Sequence, residues 1–431
     1  MSGPWLGIVA DDVTGACDVA EAVSEQGASA IVTVGTPPGD CPDCDCAVVA
    51  LKSRTAPRDR AVEWSLAAAR WLRQAGCTTL YQKYCSTFDS TDDGNIGPVA
   101  DALTRLLAAD AAHPVVSVGT PATPRVGRTV YQGHLFVGRQ LLSDSPLRDH
   151  PLTPMRDPNL VAVLSRQTTE PVALVPWSTV VAGPVDIRAA IAQARRAGAR
   201  HVLLDALTED DLDHAAVALT GTADVVTAGA AGLAAALARV RHGHARSTTG
   251  SSSRRVPPVP AGRRLILSGS CSARTREQVA AFTGPRVELC PLDLAAEPDR
   301  AVDAVLDAVR RAFDSGDAPV LVSSSAGPER VAEYESRLGV GRPAALLEAA
   351  TAEIARRAVD VLGVRRLLVA GGETSGAVVQ ALGISTLRVG PAAGPGLPWM
   401  VPTTGTALAL LLKSGNFGDA DLYTSAWRSC P

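Results

Sequence analysis

Two polar stretches near the start of the chain contain the residue types that acid–base and binding chemistry require. The first, ADDVTG, places two adjacent carboxylates, Asp11 and Asp12, directly after an apolar run. The second, KYCSTFDSTDDGNIG at 83–97, combines a lysine with hydroxyls, carboxylates and glycines. A helix N-cap, which contributes about 1 kcal/mol, would explain one polar residue at a strand end but not two adjacent carboxylates. We therefore expect Asp11 and Asp12 to have a functional role in addition to any capping role.

A metal site is the alternative interpretation of such polar stretches. From Asp89 the spacing imitates the start of a calcium-binding loop, but position 12 is Ala100, where a glutamate is needed, and Pro98 interrupts the loop. The cluster CPDCDC at 41–46 has no second Cys or His pair at zinc-finger spacing. The sequence therefore favours a ligand-binding loop at 83–97 and free thiols at 41–46, and it assigns no metal ligand.

Lysine usage marks some of the same segments. Lys52, Lys83 and Lys413 are the only lysines among the 41 basic residues, and each lies in a polar segment. A flexible ammonium group binds phosphate or carboxylate as a point charge. We therefore expect these segments to bind anionic groups.

In the second half of the chain, glycines and hydroxyls follow apolar runs. LILSGSCS at 265–272 and LLVAGGETSG at 367–376 are each typical of a strand, a turn of small residues and a helix start, and VGPAAGPG at 389–396 adds a glycine loop. Small residues let the backbone approach a phosphate, whose oxygens accept hydrogen bonds. GVGRPA at 339–344 imitates a dinucleotide fingerprint but follows a predicted helix, and no Walker A motif is present. The sequence therefore predicts a nucleotide site of another kind.

Apolar β-branched runs alternate with alanine-rich helical segments, which is typical of α/β units over largely parallel sheets. The pattern fails between 241 and 262, where Ser, Gly, Pro and Arg predominate. We therefore predict two α/β domains, 1–241 and 263–431, with a linker at 242–262 and a ligand cleft between the domains. Ligands in open α/β sheets collect beyond the carboxyl ends of the strands. The strands predicted in the first domain are Leu6–Ala10, Ala30–Val34, Ala47–Leu51, Val115–Val118, Val172–Val175 and His201–Leu204.

The composition disfavours several function classes. A net charge of −3 and an aromatic content of 4% provide neither a basic surface nor a base-stacking surface, so we expect no nucleic-acid partner. No apolar run approaches the roughly 20 residues that cross a bilayer, and the N-terminus lacks the basic region of a signal peptide. We therefore expect no membrane association and a cytoplasmic location. Nine irregularly spaced cysteines in that compartment argue against a disulfide framework.

The chain resembles the four-carbon acid sugar kinases, and most closely the 3-oxo-tetronate kinase subgroup. The resemblance runs nearly the full length, through the segments GIVADDVTGACDVAEAV, ALKSRT, KYCSTFDSTDDGNIGPVADAL, GRTVYQGHLFV, RDHPLTPMRDPNLV, LSGSCSARTREQ, VAGGETSGAVVQALG and LKSGNFG. It implies a kinase that uses ATP and Mg²⁺ to phosphorylate the 4-hydroxyl of a four-carbon sugar acid, here 3-oxo-tetronate (3-dehydro-erythronate), in the catabolism of such acids. It also implies that the N-terminal domain binds the acid and the C-terminal domain binds the nucleotide.

Three alternatives stay open at this point. The acid could be threonate or erythronate. A nicotinamide-dependent sugar-acid dehydrogenase would also use two α/β domains, but no G-x-G-x-x-G sequence follows a strand. A two-lobed binding protein would leave the nucleotide-type loops unexplained. The expected partners are the small-molecule acid and ATP, and a homodimer is a candidate assembly.

The resemblance implies residue roles by matching position. The implied catalytic residues are Asp12, Asp11 and Asp89. The implied substrate-binding residues are Ser53, Arg54, Lys83, Ser86, Thr87, Asn95 and Arg128, of which Arg54 suits a carboxylate because a guanidinium binds it through two hydrogen bonds. The implied nucleotide-binding residues are Ser268, Ser270, Gly371, Gly372, Glu373, Thr374, Ser375, Gly376, Gly394, Gly396, Lys413, Gly415 and Asn416.

The chain departs from the broader family at one position of this set. Asp93 stands where many members have an arginine, within the sequence DSTDDGN. This spelling resembles the oxo-tetronate subgroup, and it removes one cation from the predicted acid site. No arginine role is therefore transferred to position 93.

Overall fold

The computed structural model describes residues 3–37, 39–109, 113–149, 153–222, 224–243, 256 and 259–431. The chain divides into two units, Met1–Ser251 and Ser252–Pro431. The predicted linker, 242–262, lies mostly outside the described residues, so its boundaries stay a prediction. Among the described residues, no helix has the length and apolar character needed to cross a membrane.

Short apolar strands build the first unit. They are β1 (Leu6–Ala10), β2 (Ala30–Val34), β3 (Cys46–Ala50), β4 (Thr79–Lys83), β5 (Val116–Thr120), β6 (Arg128–Tyr131), β7 (His134–Val137), β8 (Gln140–Leu141), β9 (Val172–Val175), β10 (His201–Leu204) and β11 (Val225–Gly229). Eight of them pair in parallel in the order β2-β3-β1-β4-β11-β5-β10-β9. Strands β6, β7 and β8 form a separate antiparallel sheet. The parallel strands β1 and β3 are buried along their whole length, as in sheets covered on both faces.

Helices connect the parallel strands of this unit. They are α1 (Val13–Glu25), α2 (Arg58–Gln74), α3 (Ile96–Ala108), α4 (Leu160–Gln167), α5 (Trp177–Val180), α6 (Pro184–Arg196), α7 (Glu209–Leu219) and α8 (Ala231–His242). The alanine-rich stretch 231–238 of α8 is buried throughout, and α8 packs against α1 and α7. Small side chains permit this close approach, so α1 is fixed firmly where it follows β1.

The second unit has the same α/β plan, but its sheet includes antiparallel as well as parallel strands. Its strands are β12 (Arg263–Ser268), β13 (Arg286–Glu288), β14 (Val320–Ser323), β15 (Val364–Ala370), β16 (Thr386–Ala392), β17 (Pro398–Pro402) and β18 (Ala409–Lys413). Their order is β13-β14-β12-β15-β18-β17-β16, parallel as far as β18 and antiparallel from there. Its helices are α9 (Ala273–Ala281), α10 (Pro291–Ala296), α11 (Pro298–Ser315), α12 (Pro328–Leu338), α13 (Arg342–Asp360), α14 (Gly372–Ala381) and α15 (Leu422–Ser425).

The predicted α/β class is confirmed, and most predicted strands are close to the observed ones. Strands β1, β2, β9 and β10 have the predicted bounds, whereas β3 begins one residue earlier than predicted and β5 one residue later. In the first unit the sequence analysis missed β4 and β11 of the parallel sheet and the three antiparallel strands β6, β7 and β8. In β4 the polar residues Gln82 and Lys83 interrupt the apolar pattern, although both are buried. The helix predicted at VAEYESRL is confirmed as part of α12.

The close approach of β5 and β11 requires glycine at position 119. A Cβ atom added to Gly119 would lie 1.8 Å from the backbone oxygen of Ala228. Because the contacted atom belongs to the backbone of a paired strand, the strands would have to separate. We expect Gly119→Ala to lower the free energy of unfolding by about 3 kcal/mol, as overpacked sites do, measured by urea denaturation.

Gly39→Ala is the matched control, because a Cβ at Gly39 would meet no atom within 4 Å. This change should alter stability by less than about 0.5 kcal/mol. Equal losses in the two variants would show that close strand approach is not what requires Gly119.

Candidate active site

The carboxyl ends of three adjacent strands bring the first group of predicted residues together. Strand β1 lies between β3 and β4, so the segments that follow these strands share one edge of the sheet. The N–H of Asp11 donates to the carbonyl of Lys83 at 3.2 Å. The N–H groups of Ser53 and Arg54 donate to the carbonyl of Asp11 at 3.0 and 3.2 Å. The backbone thus holds all three segments in one cluster.

The guanidinium of Arg54 lies at the centre of this cluster. Its Nε donates to Asp11 Oδ2 at 2.8 Å, and its Nη2 donates to Asp11 Oδ1 at 2.9 Å and to Asp12 Oδ1 at 2.8 Å. Its Nη1 lies 3.8 Å from Asp89 Oδ2. One largely buried cation therefore faces all three predicted catalytic carboxylates.

Asp12 is also the N-cap of α1. Its Oδ1 accepts the N–H of Gly15 at 2.9 Å, and its Oδ2 accepts the hydroxyl of Thr14 at 2.6 Å. These bonds satisfy a backbone donor at the helix start. Asp12 thus combines the capping role with its contact to Arg54.

The two adjacent carboxyls have opposite pKa shifts. Burial raises the pKa of Asp11, against the lowering effect of Arg54. Burial also acts to raise the pKa of Asp12, but Arg54, Lys83 and the hydrogen bonds to the Asp12 carboxylate outweigh it and hold the pKa below its usual value. When environments push neighbouring pKa values apart, one group suits proton transfer and the other stays ionised. Asp11 is therefore the better proton acceptor of the pair.

Lys83, at the end of β4, adds a second buried cation. Its side chain is 2% exposed, and its Nζ donates to the carbonyl of Tyr84 at 2.9 Å. A Cβ atom at Gly15 would lie 3.1 Å from this Nζ and 2.3 Å from Asp12 Oδ1. Glycine therefore lets α1 begin directly beside the charged groups.

A strained turn directs Asp89 toward Arg54. Phe88 has a φ of 58° although it is neither glycine nor exposed. Such a backbone conformation costs about 1–3 kcal/mol and persists only where the surroundings enforce it. Here the Phe88 ring is buried and packs edge-on against the Tyr84 ring, with the ring centroids 5.2 Å apart. The hydroxyl of Thr87 donates to Asp89 Oδ1, which fixes the carboxylate further.

Asn95 ties the loop after β4 to the loop after β3. Its Nδ2 donates to the carbonyls of Ser53 and Ala56, each at 2.8 Å, and to that of Arg54 at 3.3 Å. Its Oδ1 is buried without a hydrogen-bond partner among the described residues. Ser86 is buried in the same loop. Asn95 therefore holds the segment that presents Arg54.

A second set of charged side chains joins α1 to the segment after β5. The guanidinium of Arg125 pairs with Glu21 at 3.2 Å, and burial together with the neighbouring Glu25 carboxyl raises the pKa of Glu21 to about 8. The predicted residue Arg128 donates from Nη1 to the carbonyl of Val126, and its Nε is buried without a partner among the described residues. Desolvation raises the pKa of Asp18, against the charges of Arg125 and Arg128. The sequence analysis missed Asp18, Glu21 and Arg125, because only the fold brings α1 and the segment after β5 together.

In the second unit, three neighbouring strand ends again collect predicted residues. Strand β15 lies between β12 and β18. The N–H groups of Gly269 and Ser270 donate to the carbonyl of Ala370 at 3.0 and 3.1 Å, and the N–H of Gly371 donates to the carbonyl of Lys413 at 2.8 Å. The segments that carry most of the predicted nucleotide-binding residues are therefore in contact.

The start of α14 is built from small residues. Gly371 has a φ of 126°, which side-chain-bearing residues rarely adopt, and its carbonyl accepts the N–H of Ser375 at 2.8 Å. The first N–H groups of a helix lack partners within the helix, and the helix dipole favours an anion there. The same turns contain Gly372, Glu373, Thr374 and Gly376. This end of α14 therefore suits a phosphate group.

Hydroxyl groups and a buried lysine complete this edge. Ser268 Oγ lies 2.9 Å from Ser325 Oγ and 2.8 Å from the Tyr423 hydroxyl. Ser270 Oγ accepts the N–H of Ser272 at 3.3 Å. Lys413 is fully buried at the end of β18, and Gly415 and Asn416 follow in a turn.

The predicted glycine loop is a tight turn between β16 and β17. The N–H of Leu397 donates to the carbonyl of Gly394 at 3.0 Å, and Gly396 has a φ of 72°. Leu397 is buried, and a Cβ atom at Gly418 would lie 3.0 Å from it. The turn is therefore packed against the segment that follows Lys413.

The fold adds several residues to this edge that the sequence analysis did not predict. Ser325 follows β14, so the rule that chemistry follows strand ends, applied to the sequence APVLVSSS, would have found it. Thr275, Gln278 and Tyr423 are buried and bond to residues more than 130 positions away, which local sequence does not reveal.

Within the described ranges, no group of three or more His, Cys, Asp or Glu side chains is arranged to hold a metal ion. Cys41 and Cys44 have their sulfur atoms 4.0 Å apart, and all nine cysteines are free thiols.

Two matches to known protein families lie on either side of the point at which the fold divides into two units. Residues 6–237 match a sugar-binding N-terminal domain, and residues 265–423 match a nucleotide-binding C-terminal domain. The polar cluster around Arg54 lies in the first match, and the edge formed by β12, β15 and β18 lies in the second.

Relatives match the chain over nearly its whole length. A 3-oxo-tetronate kinase from Burkholderia multivorans is 44% identical and covers 99% of this chain and 98% of its own, and one from Methylobacterium radiotolerans is 44% identical over 98% of both. A crystal structure from Salmonella typhimurium LT2, provisionally described as a tRNA synthase, matches with a TM-score of 0.83 and 36% identity over 99% of both chains. The chain therefore belongs to the four-carbon acid sugar kinase family, whose members include these 3-oxo-tetronate kinases.

Proposed function

We propose that this protein is an ATP-dependent kinase that transfers a phosphoryl group to the 4-hydroxyl of 3-oxo-tetronate. The observation that carries the proposal is the 44% identity, over 99% of the chain, to a protein named 3-oxo-tetronate kinase. Threonate and erythronate differ from this acid only in oxidation state or stereochemistry, so they are the competing substrates. The relatives described above are named as kinases, and a dehydrogenase has no support from them.

The two units then have separate tasks. The first unit would bind the sugar acid, because its charged cluster offers cations for a carboxylate and carboxylates for a hydroxyl. The second unit would bind ATP, because its strand ends present glycines, hydroxyls and a helix N-terminus to phosphates. The boundaries 1–241 and 263–431 are part of this proposal.

Proton transfer from the substrate hydroxyl is assigned to Asp11. The hydroxyl proton passes to the Asp11 carboxylate as the oxygen attacks the γ-phosphorus, and the bond from that phosphorus to the β-phosphate oxygen breaks, releasing ADP. The raised pKa of Asp11 supports this role over Asp12, which caps α1 and has a lowered pKa. Arg54 would hold Asp11 in place and keep Asp12 ionised through the hydrogen bonds described above.

Arg128 is the better proposed ligand for the acid's carboxylate. Two nitrogen atoms of Arg54 already donate to Asp11 and Asp12, whereas the Nε of Arg128 is buried without a partner in the described part of the chain. Arginine binds a carboxylate through two parallel hydrogen bonds. Lys83 would add a second positive charge on the same side of the unit.

A magnesium ion fits the oxygen-rich donors of the nucleotide edge. Mg²⁺ prefers oxygen ligands and is usually held by substrate phosphates with one or two carboxylates. Glu373 is the single carboxylate among the predicted nucleotide-binding residues, and Thr374 adds a hydroxyl beside it. These two residues would hold the ion, which would neutralise charge on the transferring phosphoryl group.

We also propose a cytoplasmic location and a homodimer. Light scattering tests the proposed dimer. The net charge of −3 gives no reason to extend the tRNA description of the Salmonella structure to this chain.

A coupled ADP-release screen tests the proposed activity. With ATP and Mg²⁺ present, we expect 3-oxo-tetronate to give the highest kcat/KM among 3-oxo-tetronate, threonate and erythronate. The matched binding experiment compares thermal stabilisation by ATP–Mg²⁺ and by NAD. Stabilisation by NAD and not by ATP, or no acid-dependent ADP release, would overturn the kinase proposal.

Asp11→Asn tests the proposed proton acceptor. Because the amide cannot accept the proton, we expect kcat to fall at least about 100-fold. ATP affinity, measured by titration calorimetry, should stay unchanged.

Asp12→Ser is the comparison variant for this test. Serine retains an N-cap acceptor for the N–H of Gly15 but removes the charge beside Arg54. We expect a loss in kcat of about tenfold or less for this variant. A larger loss in Asp12→Ser than in Asp11→Asn would reassign the proton acceptor to Asp12.

Arg128→Gln tests the proposed carboxylate ligand. A hydrogen bond to a charged group contributes about 1.5–3 kcal/mol, so we expect the KM for the acid to rise roughly 10- to 100-fold. The KM for ATP should change less than about twofold. Arg139→Gln, at an exposed position in the same small antiparallel sheet region, is the control and should leave both constants unchanged. An unchanged acid KM in Arg128→Gln would exclude this residue as the carboxylate ligand.

A further inference from the structure

Lys413 is a fully buried ammonium group whose partners are neutral oxygen atoms. It is the last residue of β18 and is 0% exposed. Its Nζ donates to Thr275 Oγ1, to the Ser414 carbonyl and to the Gly415 carbonyl, each at 2.9 Å. Among the described residues no ion pair joins it to a carboxylate. An ammonium group has three N–H donors, so this geometry occupies all of them.

Burial of the Lys413 ammonium group costs electrostatic free energy. Burial lowers the pKa of Lys413 to about 7, and the nearby charge of Arg274 adds to the lowering. Buried charges normally have paired carboxylates, because an isolated charge loses its hydration. A methionine or leucine would fill the same space without that cost. The three hydrogen bonds are therefore the feature that requires a lysine.

These hydrogen bonds determine the orientation of two consecutive peptide groups. The carbonyls of Ser414 and Gly415 both face the lysine, and the Gly415 carbonyl also accepts the hydroxyls of Ser272 at 2.6 Å and Thr275 at 2.9 Å. A trans peptide is planar, so its N–H points opposite to its carbonyl. The N–H groups of Gly415 and Asn416 must therefore point away from Lys413.

The amides of Gly415 and Asn416 lie beside other groups suited to a phosphate. In the described part of the chain, neither the Gly415 N–H nor the Asn416 N–H makes a backbone or side-chain hydrogen bond. The carbonyl of Lys413 accepts the N–H of Gly371, directly before α14, so the turn adjoins that helix N-terminus. A Cβ atom at Gly415 would lie 2.5 Å from Ser270 Oγ, which places the turn against the segment after β12.

We propose that Lys413 is a positioning residue that orients the amides of Gly415 and Asn416 to bind a phosphate of the nucleotide, without itself contacting the phosphate. The inference rests on the proposed kinase function. It differs from the usual role of a lysine near phosphates, in which the ammonium itself is the ligand. The hydroxyl of Thr275 is then part of the same hydrogen-bond network, since it accepts from Lys413 and donates to the Gly415 carbonyl.

Two variants and titration calorimetry with ATP–Mg²⁺ test this proposal. Lys413→Met removes the three hydrogen bonds, and Thr275→Val removes the hydroxyl while nearly preserving shape. We expect ATP affinity to fall at least about tenfold in Lys413→Met and about threefold to tenfold in Thr275→Val. In steady-state assays the KM for ATP should rise in both variants, while the KM for the acid stays unchanged.

Leu410→Ala is the stability control, because it creates a cavity in the same strand away from the turn. It should lower the unfolding temperature but leave ATP affinity unchanged. An equal loss of ATP affinity in Leu410→Ala would mean that lost stability accounts for the effect and would overturn the proposal.

Thr275→Val separates positioning from direct contact. If the ammonium bound the phosphate itself, Thr275→Val would retain wild-type ATP affinity, and that result overturns the proposal even if Lys413→Met does not fold. Failure of the wild-type protein to bind ATP would instead overturn the proposed kinase function.

Discussion

The ion cluster centred on Arg54 is the interaction on which the first unit's site depends. Three carboxylates close together repel one another and cannot all stay ionised without compensating charge. Arg54 supplies that charge to Asp11, Asp12 and Asp89, which follow two different strands, while Arg54 itself follows a third. Because the guanidinium is planar and has fixed donors, it fixes the relative positions of the loops as well as their charges. Asp11 and Asp12 have opposite pKa shifts although both contact Arg54, because Lys83 and the hydrogen bonds from Thr14 and Gly15 also lower the pKa of Asp12.

Under the proposed function the two units would recognise different ligands, each at the carboxyl ends of its own parallel strands. A small sugar acid offers hydroxyls and a single carboxylate, for which charged side chains that can exchange protons are suited. A triphosphate spreads negative charge over many oxygens, for which backbone N–H groups and a helix N-terminus are sufficient. This difference explains why the first edge contains Asp11, Arg54 and Lys83, whereas the second contains mainly glycines and hydroxyls. Phe88, buried and with a positive φ, directly precedes Asp89 in the first of these two edges.

The sequence predicted what local patterns determine and missed what the fold assembles. Strands β1, β2, β9 and β10 have the predicted bounds because their apolar runs are continuous. The sequence analysis missed strand β4 because Gln82 and Lys83 are polar residues that the fold buries, so the apolar pattern is interrupted there. The adjacent carboxylates Asp11 and Asp12 were recognisable from their place after a strand. Their bonding to Arg54 was not, since it joins positions more than 40 residues apart through strand order alone.

The two buried lysines of this arginine-rich chain share one arrangement. Lys83 and Lys413 each end a strand, and each folds back to donate from Nζ to the carbonyl of the next residue at 2.9 Å. A compact ammonium group on a flexible stem can make this contact with the carbonyl of the following residue. In both units the lysine therefore sets the direction of a peptide group just after the strand, in a segment that we propose binds a ligand. Arg54 has a different role, since it bridges segments that follow three different strands.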